Sequence, residues 1–132
     1  RYGQRTWDVI EQVGLLERAR TPARTLPHGD QRKLELGVIL APDPEVLMLD
    51  EPTAGMASEQ VPELIALIQS IQKAGGKTIM LVEHNMNVVM NVSDTITVMH
   101  LGRVLAEGAP AEIARDQEVQ TAYLGGLYEL NF

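Results

Sequence analysis

The chain has 132 residues, 45% of them hydrophobic but only 4% aromatic, with a net charge of −7 and no cysteine. Its length suits one domain or most of one, built around an aliphatic core. The acidic balance argues against the basic surface that nucleic acid or anionic lipid headgroups require. The lack of cysteine excludes a disulfide framework, and no apolar stretch approaches membrane-spanning length.

In chain order, residues 6–13 read as a helix with Trp7, Ile10 and Val13 close to one face, stopped at Gly14. Pro22 and Pro27 mark a loop over 21–27. A helix is predicted from about Gly29 to Leu40, with Leu34, Val38 and Ala41 along one side, and Pro42-Asp43-Pro44 stops it. The apolar run Val46–Leu49 suits a strand buried on both faces. Ser58 is a candidate N-cap, with Glu59 and Glu63 favourable near the helix start. Its helix runs to about Lys73, presents Leu64, Ile65, Leu67, Ile68 and Ile71 to the core, and stops at Gly75-Gly76. Thr78–Val82 reads as a second buried strand, so this strand–helix–strand unit should be parallel and right-handed. A short helix over 85–92, a strand over 94–99, a turn at Leu101-Gly102-Arg103 and a returning strand at 104–106 follow. Pro110 suits the first turn of a helix through Arg115, and a last helix spans about 118–124. The tail 125–132 carries Leu127, Tyr128, Leu130 and Phe132, and is expected to dock on this chain or another.

The segment richest in chemistry is Val46-Leu47-Met48-Leu49-Asp50-Glu51-Pro52-Thr53. A buried strand delivers its last residues to the carboxyl edge of a sheet, where open α/β folds bind ligands. Two acids there are costly unless something uses them. A Mg²⁺–phosphate group could use Asp50 and an attacking water could use Glu51; otherwise the strand ends in a solvated acidic turn. Three further segments stand in order around it: Leu26-Pro27-His28-Gly29-Asp30-Gln31-Arg32 upstream, Ala54-Gly55-Met56 directly after, and Val82-Glu83-His84 later.

This ordered set resembles the ATP-binding cassette (ABC) ATPases, whose signature motif, Walker B, D-loop and switch histidine these pieces are similar to. The wording L-P-H-G-D-Q-R, D-E-P-T-A-G-M and the run Val119-Gln120-Thr121-Ala122-Tyr123-Leu124-Gly125 looks most like the branch that imports branched-chain amino acids and urea. The resemblance implies part of a P-loop NTPase fold: α/β, a mostly parallel sheet with flanking helices, then a hairpin and helices. It divides the chain into a helical portion with the signature over 1–41, a catalytic-core portion over 42–108, and C-terminal helices and tail over 109–132.

The same resemblance implies the roles. Asp50 would act on Mg²⁺ through a coordinated water, Glu51 would be the general base, and His84 would contact the γ-phosphate. Leu26, Pro27, His28, Gly29, Asp30 and Gln31 would form the signature loop facing ATP held by a partner cassette, with Gly29 allowing phosphate to approach. Gly55, Met56 and Ala57 would form the D-loop. Pro27 replaces the serine most cassettes carry, and Ala57 replaces an acid or amide, which puts coupling between paired sites in question. Neither His28 nor His100 is given a proton-transfer role.

No Gly-x-x-x-x-Gly-Lys-[Ser/Thr] run occurs, and the chain opens at Arg1-Tyr2-Gly3. The chain therefore reads as roughly the C-terminal half of a cassette, expected to be inactive as an isolated ATPase and to self-associate. The expected function is the ATPase subunit of an importer, paired with a second cassette subunit and with transmembrane permeases, cytoplasmic and peripheral on the inner face of the membrane. The cofactors implied are ATP and Mg²⁺, with no nucleic-acid partner. The competing readings are a soluble ABC ATPase not linked to transport and a truncated, non-catalytic interaction module.

Overall fold

The computed structural model describes residues 3–124. The chain divides into two compact units, one up to Val88 and one from Val89 onward.

In the first unit, helix α1 (Gln4–Gln12) is followed by α2 (His28–Leu40), strand β1 (Val46–Asp50), α3 (Val61–Ala74) and β2 (Thr78–Val82). Helix α1 ends as predicted at Gly14. Gly14 N–H donates to Glu11 O and Leu15 N–H to Ile10 O, with Gly14 in the left-handed region at φ 71°. The face that α1 buries differs from the expected one: Val9 and Val13 are buried, whereas Trp7 is exposed. The cause is Gly37 of α2, whose open side meets the methyls of both valines. Helix α2 likewise buries Gly29, Leu36, Gly37 and Leu40 rather than the predicted Leu34, Val38 and Ala41, and leaves Val38 exposed. Arg5 caps its end by donating from Nη2 to Leu40 O at 2.9 Å.

Helix α3 starts three residues after the predicted Ser58 cap. Gln60 N–H is already taken by Ala57 O in a turn, and Pro62, which lacks an N–H, sits in the first helical turn. Its buried face, Val61, Leu64, Leu67, Ile68 and Ile71, holds four of the five predicted positions. Gly75 and Gly76, both at positive φ, end it.

Strands β1 and β2 pair in parallel, Val46 opposite Thr78 through Asp50 opposite Val82. The bounds of β2 are those predicted, but burial on both faces is not found. Leu47 and Leu49 are buried, while Val46, Met48, Met80 and Val82 are exposed, Met48 at 70%. Side chains alternate across a strand. A continuous apolar run is competent for burial on both sides, and what covers each side lies elsewhere in the fold. Asp43 joins the approaches to the two strands, accepting from Lys77 Nζ at 2.7 Å and Arg5 Nη2 at 3.2 Å. The Lys77 hydrogen bond and charge, then Arg5, lower its pKa.

Helix α4 (Met86–Val92) follows β2. In the second unit, β3 (Ile96–His100) and β4 (Arg103–Gly108) form an antiparallel hairpin with an irregularity between Val98 and Met99. Its turn uses Leu101 and Gly102 at positive φ, the pattern that matches strand twist in two-residue hairpins. The returning strand is longer than predicted. Helices α5 (Pro110–Arg115) and α6 (Gln117–Leu124) lie close to their expected bounds. Ile96, Val98, Ile113 and Val119 make this unit's buried cluster. The predicted docking of the 125–132 tail lies outside the described residues.

Candidate functional site

β1 ends at Asp50, and its carboxylate has no hydrogen-bond or ion-pair partner among the described residues. The chain turns at once. Glu51 N–H donates to Val82 O at 2.7 Å, continuing the ladder, while Glu51 takes φ 44°, a left-handed conformation that costs a non-glycine residue about 1 kcal/mol or more. Glu51 and His84 meet at the end of the sheet because they follow paired strands. Nδ1 of His84 lies 3.2 Å from Glu51 Oε1. The two side chains are within hydrogen-bond reach of each other, with the donor set by the histidine tautomer. His84 is 72% exposed and Glu51 51%, so both face solvent.

Behind this pair lies a carboxylate to which the sequence reading gave no role. The Glu83 side chain is fully buried. Its Oε1 accepts from Thr53 N–H at 3.0 Å and from the Thr53 hydroxyl. Its Oε2 accepts from His84 N–H at 2.9 Å and Asn85 N–H at 3.0 Å. Burial pushes the Glu83 pKa up, but these donors outweigh it and hold the pKa below the usual glutamate value. The available signal was an acid directly after an apolar strand, where an uncompensated charge would be costly.

A group with a lowered pKa adds stability above its unfolded pKa and loses it as pH falls through the folded one. Glu83 therefore supports the fold fully above the ordinary value of 4.5 and loses that support progressively as pH falls below it through the lower folded value. The Tm gap between wild type and Glu83→Gln should be widest above about pH 5 and should narrow toward about pH 3. A gap independent of pH in thermal melts would refute this.

The signature-like segment begins with buried Leu26, passes through extended Pro27 and enters α2 at His28. Gln31 Nε2 donates back to Leu26 O at 3.0 Å. Asp30 pairs with Arg18 at 3.2 Å and lies 3.7 Å from Lys33. The space beside Gly29, expected to admit phosphate, meets the Gln60 carboxamide, 2.8 Å from where a Cβ would stand. Gly55 has φ +74° and lies against His28, whose Nε2 would be 2.8 Å from a Cβ there. The positive φ favours glycine at Gly55, and a side chain there would also have to displace the His28 ring. Arg32 Nη2 donates to Ala54 O at 3.0 Å. The signature segment and the 54–57 loop are thus packed together through His28, Gln60 and Arg32. Met56 N–H donates to Thr53 O, and Ala57 is exposed.

A cleft of about 450 Å³ opens beside His84, lined by Thr53, Ala54, Gly55, Met56, Ser58 and Asn85 among others. Among the described residues no group of three or more His, Asp or Glu could hold a metal ion. Asp50, Glu51 and His84 can supply one carboxylate to a metal, one proton acceptor and one imidazole.

Comparison with known proteins gives the family and the fold. The family described as ABC transporter matches residues 1–54, and the one described as branched-chain amino acid ATP-binding cassette transporter matches residues 103–128. A solved ATP-binding cassette of an ABC transporter, in its ADP conformation, superposes with a TM-score of 0.82 at 27% identity, over 92% of this chain and 49% of that one. The chain belongs to the ATP-binding cassette ATPases and has part of their α/β P-loop NTPase fold. Within that family it is similar to the high-affinity branched-chain amino acid transport ATP-binding protein LivG of Salmonella typhimurium, 45% identical over 91% of this chain and 46% of that protein. BraF of Pseudomonas aeruginosa, of the same description, is 41% identical over 88% of this chain and 46% of that protein. The chain spans about half the length of the curated relatives it matches.

Proposed function

We propose that this chain carries the hydrolytic and partner-facing elements of the ATPase subunit of an ABC importer for branched-chain amino acids, urea or similar small solutes. The observation that carries the reading is the Glu51–His84 pair, 3.2 Å apart beside Asp50, in a chain 45% identical to LivG. In the reaction, a water oxygen attacks the γ-phosphorus, ADP leaves, and the water's proton passes to the Glu51 carboxylate. His84 holds the water and the γ-phosphate in register with that carboxylate.

Asp50 would hold Mg²⁺, most simply through a coordinated water. Its unpartnered carboxylate at the strand end fits a cation that takes one or two carboxylates, keeps several waters and finds its remaining ligands on phosphate. When bound, the ion neutralises charge on the phosphate oxygens. Leu26, Pro27, His28, Gly29, Asp30 and Gln31 would face ATP held by a partner cassette, with backbone N–H groups and the dipole of α2 favouring phosphate. Gly55, Met56 and Ala57 would lie at the same dimer seam. Partners are a second cassette subunit and membrane permeases, and the site of action is the cytoplasmic face of the membrane. No helix among the described residues is long and apolar enough to cross a membrane. The 132-residue polypeptide contains no phosphate-loop sequence, so turnover belongs to a complete cassette.

His84→Ala tests the reading. In a complete cassette carrying this segment, ATP hydrolysis should fall at least about tenfold. The Tm should barely move, because the imidazole is 72% exposed. Full turnover, or a collapsed Tm, would remove His84 from the reaction.

The open face of β1 and β2, with Val46, Met48, Met80 and Val82, supports self-association of the 132-residue chain. Light scattering at micromolar concentration should give a dimer or larger species. A clean monomer would overturn this.

A further inference from the structure

We propose that Glu83 is a positioning residue: its buried carboxylate ties the turn that carries Glu51 to the loop that carries His84, so that both side chains face one reacting water. The proposal rests on the hydrolytic reading above. Its basis is that a single side chain joins two segments 30 residues apart. Thr53, two residues beyond Glu51, donates twice to Oε1, and His84 and Asn85 donate their backbone N–H groups to Oε2. All four donors belong to the two loops whose tips meet at the Glu51–His84 contact. Glu51 N–H to Val82 O at 2.7 Å also crosses this junction.

Asn85 Oδ1 in turn accepts from Asn87 N–H at 3.1 Å and Val88 N–H at 3.4 Å, so the Glu83-bound loop also opens α4. Glu83 is buried and cannot reach substrate itself; it acts through the placement of Glu51 and His84. Glutamine has the same size but offers one acceptor oxygen. One end of the amide must then present N–H groups to backbone N–H donors, and one loop is released. The carboxylate's lowered pKa agrees with these donors being engaged.

The test has two arms. In the 132-residue chain, amide hydrogen exchange is compared between wild type and Glu83→Gln. The amides of Thr53, His84 and Asn85 should exchange at least about tenfold faster in the variant, with the amides of Leu64 and Ile68 in α3 unchanged. In a complete cassette, Glu83→Gln should lower kcat roughly 10- to 100-fold while the KM for Mg-ATP stays within about twofold. Thr53→Val, which keeps shape and leaves the carboxylate three donors, should move kcat the same way by less. Adding His84→Ala to Glu83→Gln should cost less than the product of the single effects, because Glu83 acts in part through His84.

Unchanged exchange at Thr53, His84 and Asn85, or wild-type kcat in a folded Glu83→Gln cassette, overturns the proposal. So do fully multiplicative effects with His84→Ala. Failure of the hydrolytic reading is seen separately, as no ATP turnover by the wild-type cassette or no effect of His84→Ala alone. The exchange arm still decides whether Glu83 ties the loops.

Discussion

Glu51→Gln is expected to stop ATP turnover in a complete cassette while leaving Mg-ATP binding intact. The substitution keeps the size and one acceptor oxygen of the side chain but removes the carboxylate proposed to take the water's proton. General-base catalysis contributes about 10²–10⁴-fold, so kcat should fall by that order. Binding should hold because Glu51 lies on an exposed turn and its backbone anchor, N–H to Val82 O at 2.7 Å, is unaffected by the side chain. The contact with His84 can survive, since the amide offers both an acceptor oxygen and N–H donors to Nδ1. Steady-state hydrolysis and nucleotide titration on the same preparation decide it. Turnover near wild type would remove Glu51 as the base. Lost binding with lost turnover would instead make Glu51 a ligand-holding residue.

The second large effect is on folding. Leu47 is fully buried as the second residue of β1, opposite Ile79, three residues before Asp50. Leu47→Ala should cost about 2–5 kcal/mol through lost burial and the cavity left behind. Native domains have only about 5–15 kcal/mol in total. The Tm of the 132-residue chain should therefore fall by roughly 10 °C or more. Leu47→Met keeps most of the volume and should cost less than about 1.5 kcal/mol. Met48→Ala, one residue on but 70% exposed, should change the Tm little. Equal Tm losses for Leu47→Ala and Met48→Ala would mean that both faces of this strand are covered in solution.

Several features of the fold were legible because they are local. The apolar run 46–49 ending in Asp50-Glu51, and the run 78–82 ending before Glu83-His84, fixed two strands and the edge at which their following residues emerge. Gly14, Gly75, Gly76 and Gly102 marked chain reversals because each must take a positive φ. The wording around these points was enough to indicate the cassette family. Helix faces were read less well. In α1 the periodicity pointed to Trp7, Ile10 and Val13; Val9 is buried in place of Trp7 because its methyls meet Gly37 on another helix. In α2, Val38 is as apolar as Leu36, and only the position of neighbouring elements exposes one and buries the other.

The sequence by itself determined that Asp50, Glu51 and His84 follow strands and stand at one sheet edge, because a strand's end is set by its own residues. Tertiary structure alone decided that Glu51 and His84 touch, that Gln60 and His28 fill the spaces beside Gly29 and Gly55, and that Glu83 is a buried carboxylate saturated by donors from two loops. Each of these is a meeting of residues about 30 positions apart. Periodicity and capping signals act within a few turns or one strand of chain. They carry no information on which distant polar group will arrive opposite a buried charge, and in this fold that group is Thr53.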